Sequence, residues 1–175
     1  AQGGDFGGPG RSMPLDVAMA SVERLFQDVA AGDRVTLAFL GGEPLTNRDV
    51  LRAATVRAAE MATAKRVHVS FSITTNGTLV TFDDGAFFER YGFAVTVSLD
   101  GLGAVHDRQR PFKNERGSYD RIIRRVVPLL STQRRMQVSA RVTVTPSNLR
   151  LRETLDGLLD LGFFSVGFSP MLSAP

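Results

Sequence analysis

The sequence contains no cysteine. This excludes disulfides, zinc knuckles and a thiol nucleophile, and within these residues it excludes thiolate ligation of an iron–sulfur cluster. Lysine is nearly absent: only Lys65 and Lys113 occur, so nineteen of the twenty-one basic residues are arginine. The arginines are interleaved with acids and form nothing longer than pairs such as Arg124-Arg125 and Arg134-Arg135. The net charge of +3 therefore marks solvated helix faces and not a phosphate-tracking stripe, and no nucleic-acid partner is expected. No apolar run approaches membrane-spanning length, so no membrane partner is expected. A P-loop is missing, as is a second Gly-rich strand-to-helix fingerprint. The start, Ala1-Gln2-Gly3-Gly4, lacks both a secretory signal and an initiator methionine, so the native chain is expected to begin further upstream.

What is present is a chain of 175 residues, 43% hydrophobic, enough for one sizeable core. After a Gly-rich opening, Ser12 is expected to cap a helix with Pro14 in its first turn, an apolar stripe of Val22, Leu25, Phe26 and Val29, and Gly32 at its end. The almost wholly apolar run 35–40 predicts a strand covered on both faces. A helix with Leu51, Ala54, Ala58 and Met61 follows, then a strand over 67–73 and a short helix over 83–91 closed by Gly92. A strand over 93–98 leads into a loop running to Arg116, and Gly117-Ser118 opens a helix carrying Tyr119, Ile122, Val126 and Leu130 with Pro128 near its end. A strand over 137–145, a helix over 151–161 and a strand over 163–168 complete the chain. Strict α-β alternation with short connections requires a parallel sheet with right-handed crossovers. The expected class is α/β with five parallel strands, either barrel-like or doubly wound.

In such sheets ligands gather at the carboxyl ends of the strands. Four strand ends carry polar, Gly-rich segments: Gly41-Gly42-Glu43-Pro44, Thr75-Asn76-Gly77, Ser98-Leu99-Asp100-Gly101 and Ser169-Pro170-Met171. Each alone reads as a tight turn; four pointing the same way predict a shared pocket.

In order and spacing, these segments resemble the radical S-adenosylmethionine (SAM) superfamily. Gly41–Pro44 is similar to its GGEP motif and Ile73-Thr-Thr-Asn-Gly77 to its TNG motif. Val97-Ser-Leu-Asp-Gly101, followed by His106-Asp107-Arg108 and Arg110-Pro111, resembles the SxDG…HDxxR block of peptide-modifying members with a SPASM extension. Ser118-Tyr119-Asp120 matches the GSYD opening their next helix. The likeness runs from Leu37 to Met171. It departs in one respect: the family's CxxxCxxC loop, which holds the 4Fe-4S cluster, has no counterpart here. The resemblance therefore implies a partial (βα)6 barrel missing its first strand and cluster loop. Residues 1–12 would be a Gly-rich loop following that motif, and 13–175 the partial core. The head, Gly3-Gly4-Asp5-Phe6-Gly7-Gly8, further resembles maturases of quinohemoprotein amine dehydrogenase, which install thioether cross-links.

The same resemblance implies a cytoplasmic parent enzyme that cleaves SAM reductively to modify a peptide or protein substrate, while this chain alone is expected to be inactive. The implied cofactor-binding set is Gly41, Gly42, Glu43, Pro44, Thr75, Asn76, Ser98, Asp100, Arg110, Arg141 and Met171, with no catalytic residue and no metal ligand. Glu43 and the glycine carbonyls suit the methionine ammonium, and Arg110 suits its carboxylate as a two-toothed partner. Ser98 suits a ribose hydroxyl, Asn76 the sugar or methionine end, and Met171 the adenine.

Plainer readings stand beside these. Glu43 can cap the following helix, Asp100 can shape its turn, and Arg110 can be an ordinary loop cation. Arg141, inside an apolar strand, needs an anion if it points inward: SAM, substrate, Asp100 or Glu43. His106-Asp107 suits a metal-dependent phosphohydrolase only with further ligands, and His68 sits mid-strand. Phe87, Phe88 and Phe93 are core. Two other classes remain, a non-catalytic module keeping the SAM pocket and an α/β enzyme holding a phosphate ligand at the same strand ends. Finally, a missing first strand would leave the run 35–40 at an open edge, through which the chain is expected to self-associate.

Overall fold

The structure, a computed structural model, describes residues 12–171. The Gly-rich head and its likeness to amine dehydrogenase maturases lie outside the described residues. Six helices and five strands alternate along the described chain: α1 (Leu15–Leu25), β1 (Arg34–Phe39), α2 (Arg48–Lys65), β2 (His68–Thr75), α3 (Phe82–Tyr91), β3 (Ala94–Ser98), α4 (Ala104–Gln109), α5 (Tyr119–Leu130), β4 (Gln137–Val144), α6 (Leu151–Asp160) and β5 (Val166–Pro170). A single 3-10 turn, Pro44–Asn47, precedes α2. The chain divides between Thr74 and Thr75 into two compact units.

In the first unit β1 pairs with β2 in parallel, Arg34 opposite His68 and Phe39 opposite Ile73. Helix α1 packs on α2, burying Ala18, Val22 and Phe26 against a helix whose inward residues are Leu51, Ala54, Ala58 and Ala62. Alanines at that spacing let two helix axes approach closely. Lys65 Nζ donates to the Phe26 carbonyl at 2.6 Å, satisfying the C-terminus of α1. Three expectations are corrected here. Helix α1 starts after Pro14, which occupies the cap position in extended geometry, so Ser12 is not the cap. The helix ends at Leu25, and Gly32 serves a later turn with φ of 93°. Strand β1 is not covered on both faces: Val35, Leu37 and Phe39 are half-buried, while Arg34, Thr36 and Ala38 on the other face are exposed, as is Leu40 at 73%. The apolar run reflects β propensity more than burial.

In the second unit β3, β4 and β5 pair in parallel. One face of β3 and β4 is apolar and buried: Val95 and Val97, then Val138, Ala140 and Val142. Against it lies α5, which buries Ile122, Val126, Leu129 and Leu130. The opposite face carries Thr96, Ser98, Ser139, Arg141 and Thr143, half-buried or exposed. Strand pleating alone separates the two sets. Helix α3 begins with a capping box between Thr81 and Asp84 and ends at Gly92 in the left-handed region. Phe88 and Phe93 are buried at its end with ring centroids 4.9 Å apart, as expected of core, while Phe87, also expected there, is half-buried and meets Phe88 edge-on and Phe93 at a tilt. The Glu89 carboxylate is cradled by the backbone N–H groups of Arg134, Arg135 and Met136 at the entrance to β4. Burial raises its pKa, but those three bonds, with Arg135, outweigh burial and leave it below its usual value.

Two further expectations change. The loop after β3 contains the short helix α4. Strand β5 begins at Val166, so Ser169 and Pro170 belong to it, paired with Thr143 and Val144, and do not follow it.

Gly77 shows how tightly the second unit is packed. Its φ is 75°, and a Cβ there would stand 2.8 Å from Ile122 Cγ2 and 3.1 Å from Val97 Cγ1. Gly77→Ala is expected to lower unfolding free energy by about 2 kcal/mol, read from the urea midpoint. A second expectation concerns β1, which stands at the end of the strand order. The 175-residue chain should dimerise or exchange strands, and a stable monomer in sedimentation velocity would contradict this.

Candidate functional site

At the end of β1, Gly41 and Gly42 take φ of 96° and 30°, and an added Cβ would meet nothing within 4 Å of either. The need for glycine there is therefore backbone shape, with open space in front of the strand end. Glu43 follows in extended geometry and its Oε1 accepts the Leu45 N–H at 3.1 Å. The capping role weighed for Glu43 is thus present, with Pro44 opening the 3-10 turn that it caps.

At the start of the second unit, Thr75 is buried and its Oγ1 accepts the Gly77 N–H at 3.0 Å. Asn76 Oδ1 accepts from the Thr78 N–H at 2.9 Å and the Thr78 hydroxyl at 2.7 Å. Both residues build the turn, with the Asn76 side-chain oxygen closing an Asx turn.

The third strand end is the most elaborate. Asp100 is 3% exposed and forms an ion pair with Arg110 through Oδ2 and the arginine Nε. Its Oδ1 accepts the Thr143 N–H at 2.7 Å, and its carbonyl accepts Asn148 Nδ2 at 2.8 Å. Asn148 Nδ2 also reaches the Thr143 carbonyl at 2.9 Å, tying the end of β3 to that of β4. The Asp100 N–H donates to His106 Nδ1 at 3.1 Å. On the far side of the ring, Nε2 lies 3.0 Å from Ser118 Oγ. Ser118 donates to the Arg110 carbonyl at 2.6 Å, so its oxygen receives the proton on Nε2. A closed circuit results: Asp100 to His106, His106 to Ser118, Ser118 to Arg110, and Arg110 back to Asp100. Beside it, Asp107 Oδ1 accepts the Tyr119 N–H at 2.8 Å and so caps α5 from another helix. Gly117 permits this, since a Cβ there would lie 2.2 Å from Asp107 Oδ2.

Asp100, read as a turn-shaping residue and as a cofactor ligand, has both carboxylate oxygens engaged inside the protein. Arg110 is 34% exposed and uses Nε on Asp100, with Nη2 3.4 Å from Thr143 Oγ1. The guanidinium is thus partly open to solvent, with two of its three nitrogens bonded within the protein. Arg141 does not pair with Asp100, whose charge Arg110 meets. It is exposed, makes no ion pair among the described residues, and stands in register between Ser98 on β3 and Gly167 on β5. Ser98 and Arg141, both predicted, are therefore adjacent on the polar sheet face. Met171 is 56% exposed and donates its N–H to the Val144 carbonyl at 2.9 Å. Thr143, Asn148 and Ser118 were not anticipated. The HDxxR spacing pointed toward His106 without a role, whereas Asn148 has no local signal.

Donor chemistry decides what this edge can hold. Within the second unit, a partly exposed arginine and hydroxyls on the neighbouring strands suit a carboxylate and sugar hydroxyls; within the first, the open Gly-Gly turn suits an ammonium, and AdoMet carries all three groups. No cysteine is present, and among the described residues no group of three or more His, Asp and Glu side chains is disposed to hold a metal ion, so an iron–sulfur cluster does not fit this chain's own residues.

The chain is thus an α/β arrangement with polar, Gly-rich segments at or near its strand ends. Two curated relatives bear out the resemblance to the radical SAM superfamily. The chain is 35% identical over 112 residues to the cysteine-type anaerobic sulfatase-maturating enzyme of Clostridium novyi (strain NT), covering 63% of this chain and 29% of that protein. It is 29% identical over 157 residues to the serine-type anaerobic sulfatase-maturating enzyme of Klebsiella aerogenes, covering 87% of this chain and 38% of that protein. The chain thus spans about a third of the length of the curated relatives it matches. No protein-family profile matches it. Among solved structures, native anSMEcpe with bound AdoMet and Kp18Cys peptide superposes with TM-score 0.77 at 20% identity, over 92% of this chain and 44% of that one. A histidine-tagged form of anSMEcpe with bound AdoMet gives 0.79 at 19% identity, over 97% and 46%. The fold is that of a partial barrel of this type. Among the described residues no helix is long and apolar enough to cross a membrane.

The buried imidazole makes stability depend on pH in a defined direction. His106 is wholly buried, and desolvation, with the Arg110 charge, outweighs Asp100 and Asp107 to hold its pKa below the ordinary 6.5. The unfolded chain then binds the extra proton first, so this contribution is complete above 6.5 and declines as pH falls toward the folded value. Urea midpoints measured on either side of that value should fall with acidification, and His106→Gln should remove this component.

Proposed function

We propose that this chain is part of the SAM-binding core of a cytoplasmic radical SAM enzyme that modifies a peptide or protein. The observation that carries the reading is Arg110, held by the buried Asp100 at the end of β3 with its guanidinium partly exposed. When bound, AdoMet and a reducing 4Fe-4S cluster would supply a carbon radical that takes hydrogen from substrate. The cluster's ligands would stand outside these 175 residues.

The chain's own residues would bind and orient. Arg110 would take the methionine carboxylate, while the carbonyls of Gly41 and Gly42, with Glu43 set by Pro44, would face the ammonium. Ser98 would meet a ribose hydroxyl. Thr75 and Asn76 would shape the turn bordering the ligand, and the Met171 segment would border the adenine. Arg141, on the polar face beside Ser98, would meet an anionic group of ligand or substrate. Relatives named as sulfatase-maturating enzymes, and neighbours solved with bound peptides, support a peptide or protein substrate. They favour a sulfatase-like protein over the amine dehydrogenase subunit suggested by the Gly-rich head. Mass spectrometry of each peptide after reaction with the full-length enzyme separates a thioether cross-link from other modification.

Isothermal titration should show AdoMet binding to the full-length protein, weakened about tenfold or more by Arg110→Ala. Retained affinity in that variant would contradict the reading. The 175-residue chain alone, under reducing conditions, should form no 5′-deoxyadenosine from AdoMet. Protection from thermal unfolding by inorganic phosphate but not by AdoMet would favour the phosphate-binding alternative.

A further inference from the structure

The circuit around His106 is costlier than a turn requires. It buries a carboxylate, an imidazole and a hydroxyl, with Asp100 at 3%, His106 at 0% and Ser118 at 4% exposure, and satisfies each of them. Among the described residues no buried side-chain nitrogen or oxygen lacks a partner. The bonds also have a direction. Ser118 must donate to the Arg110 carbonyl and therefore accept from Nε2, while Nδ1 must accept the Asp100 N–H. Only the neutral Nε2-protonated imidazole satisfies both ends, because imidazolium has no acceptor and the other tautomer none at Nδ1. Both ends of the circuit converge on Arg110: Ser118 holds its backbone and Asp100 its Nε.

We infer that His106 is a positioning residue: acting through Ser118 and Asp100, it locks the partly exposed Arg110 guanidinium in one orientation, ready to meet an anionic group of the ligand. The inference rests on the proposed function for the identity of that group, the methionine carboxylate. A guanidinium on a long, flexible side chain otherwise samples many rotamers, and freezing it only on binding would cost affinity. His106 itself, wholly buried, touches neither ligand nor substrate.

Two variants of the full-length protein test this at separate points. His106→Gln keeps an amide donor and acceptor but loses the rigid ring that holds the Ser118 and Asp100 bonds together; Ser118→Ala leaves the imidazole and removes the bridge. Hydrogen exchange at Arg110 Nε–H reads the lock directly, and titration with AdoMet and with decarboxylated AdoMet reads its use. Both variants should speed the exchange and weaken AdoMet about tenfold, leaving the decarboxylated compound's affinity unchanged. Unchanged exchange, or equal loss for the two ligands, overturns the inference. If the parent protein binds neither ligand, the proposed function falls, and faster exchange in the variants still upholds the lock.

Discussion

A buried carboxylate facing one arginine organises the second unit. Removing Asp100 from water costs several kcal/mol unless its oxygens are met, and a lone partner seldom suffices. Arg110 meets one oxygen and the Thr143 amide the other, and Asn148 meets the carbonyl of the same residue. These partners come from the segment after α4, from β4 and from the turn after it. The requirement thus dictates that α4 folds back beneath the strand end, that Ser118 begins α5, and that β3 and β4 end together. Gly101, with φ of 147° and Val105 Cγ1 only 2.6 Å from where a Cβ would stand, permits the reversal. The loop around the strand end is built to satisfy one charge.

Periodicity made most of the scaffold legible. The alternation of Val95 and Val97 with Thr96 and Ser98, and the stripe Ile122, Val126, Leu130, need only pleat and helix pitch to be read. Helix α4 was hidden because its environment is polar. It has six residues, its inward residue is a histidine, and Gly101, Gly103 and Pro111 punctuate it as they would a loop. Strand β5 was displaced because Phe163 and Phe164 look like strand interior, whereas Phe163 is buried under the end of α6 and Phe164 is 60% exposed. Motif order placed Asp100 and Arg110 in one region, but no local pattern says which of two cations an acid will choose. Arg141 is close along the sheet register, opposite Ser98, yet it is exposed and Arg110 meets the buried carboxylate instead.

Glycine is a second place where sequence and structure part. The Gly-rich strand ends look alike as strings and differ as physics. Gly41 and Gly42 are open in front and needed for their torsions; Gly77 is needed for its torsion and for the side chains pressed against it; Gly117 is needed only because a carboxylate passes where its Cβ would be. Grouping them as one ligand-facing set overstates what they share. Only the first pair leaves space that a ligand could enter, while the others hold the turns in which they sit.

The polar face of β3, β4 and β5 completes the argument. A sheet folds on the face it buries, and here α5 and the apolar rows of β3 and β4 supply that burial. Placing Ser98, Arg141 and Gly167 side by side on the other face adds nothing to that core. Glycine weakens a strand interior, and an exposed arginine adds nothing to the buried face, so core stability does not account for the row. An exposed cation, a hydroxyl and a position without a side chain, set in one line across three strands, provide charge, a hydrogen bond and room. They would suit the polar ligand proposed above, and the row lies on strands whose ends carry Asp100 and Thr143, both bonded to Arg110.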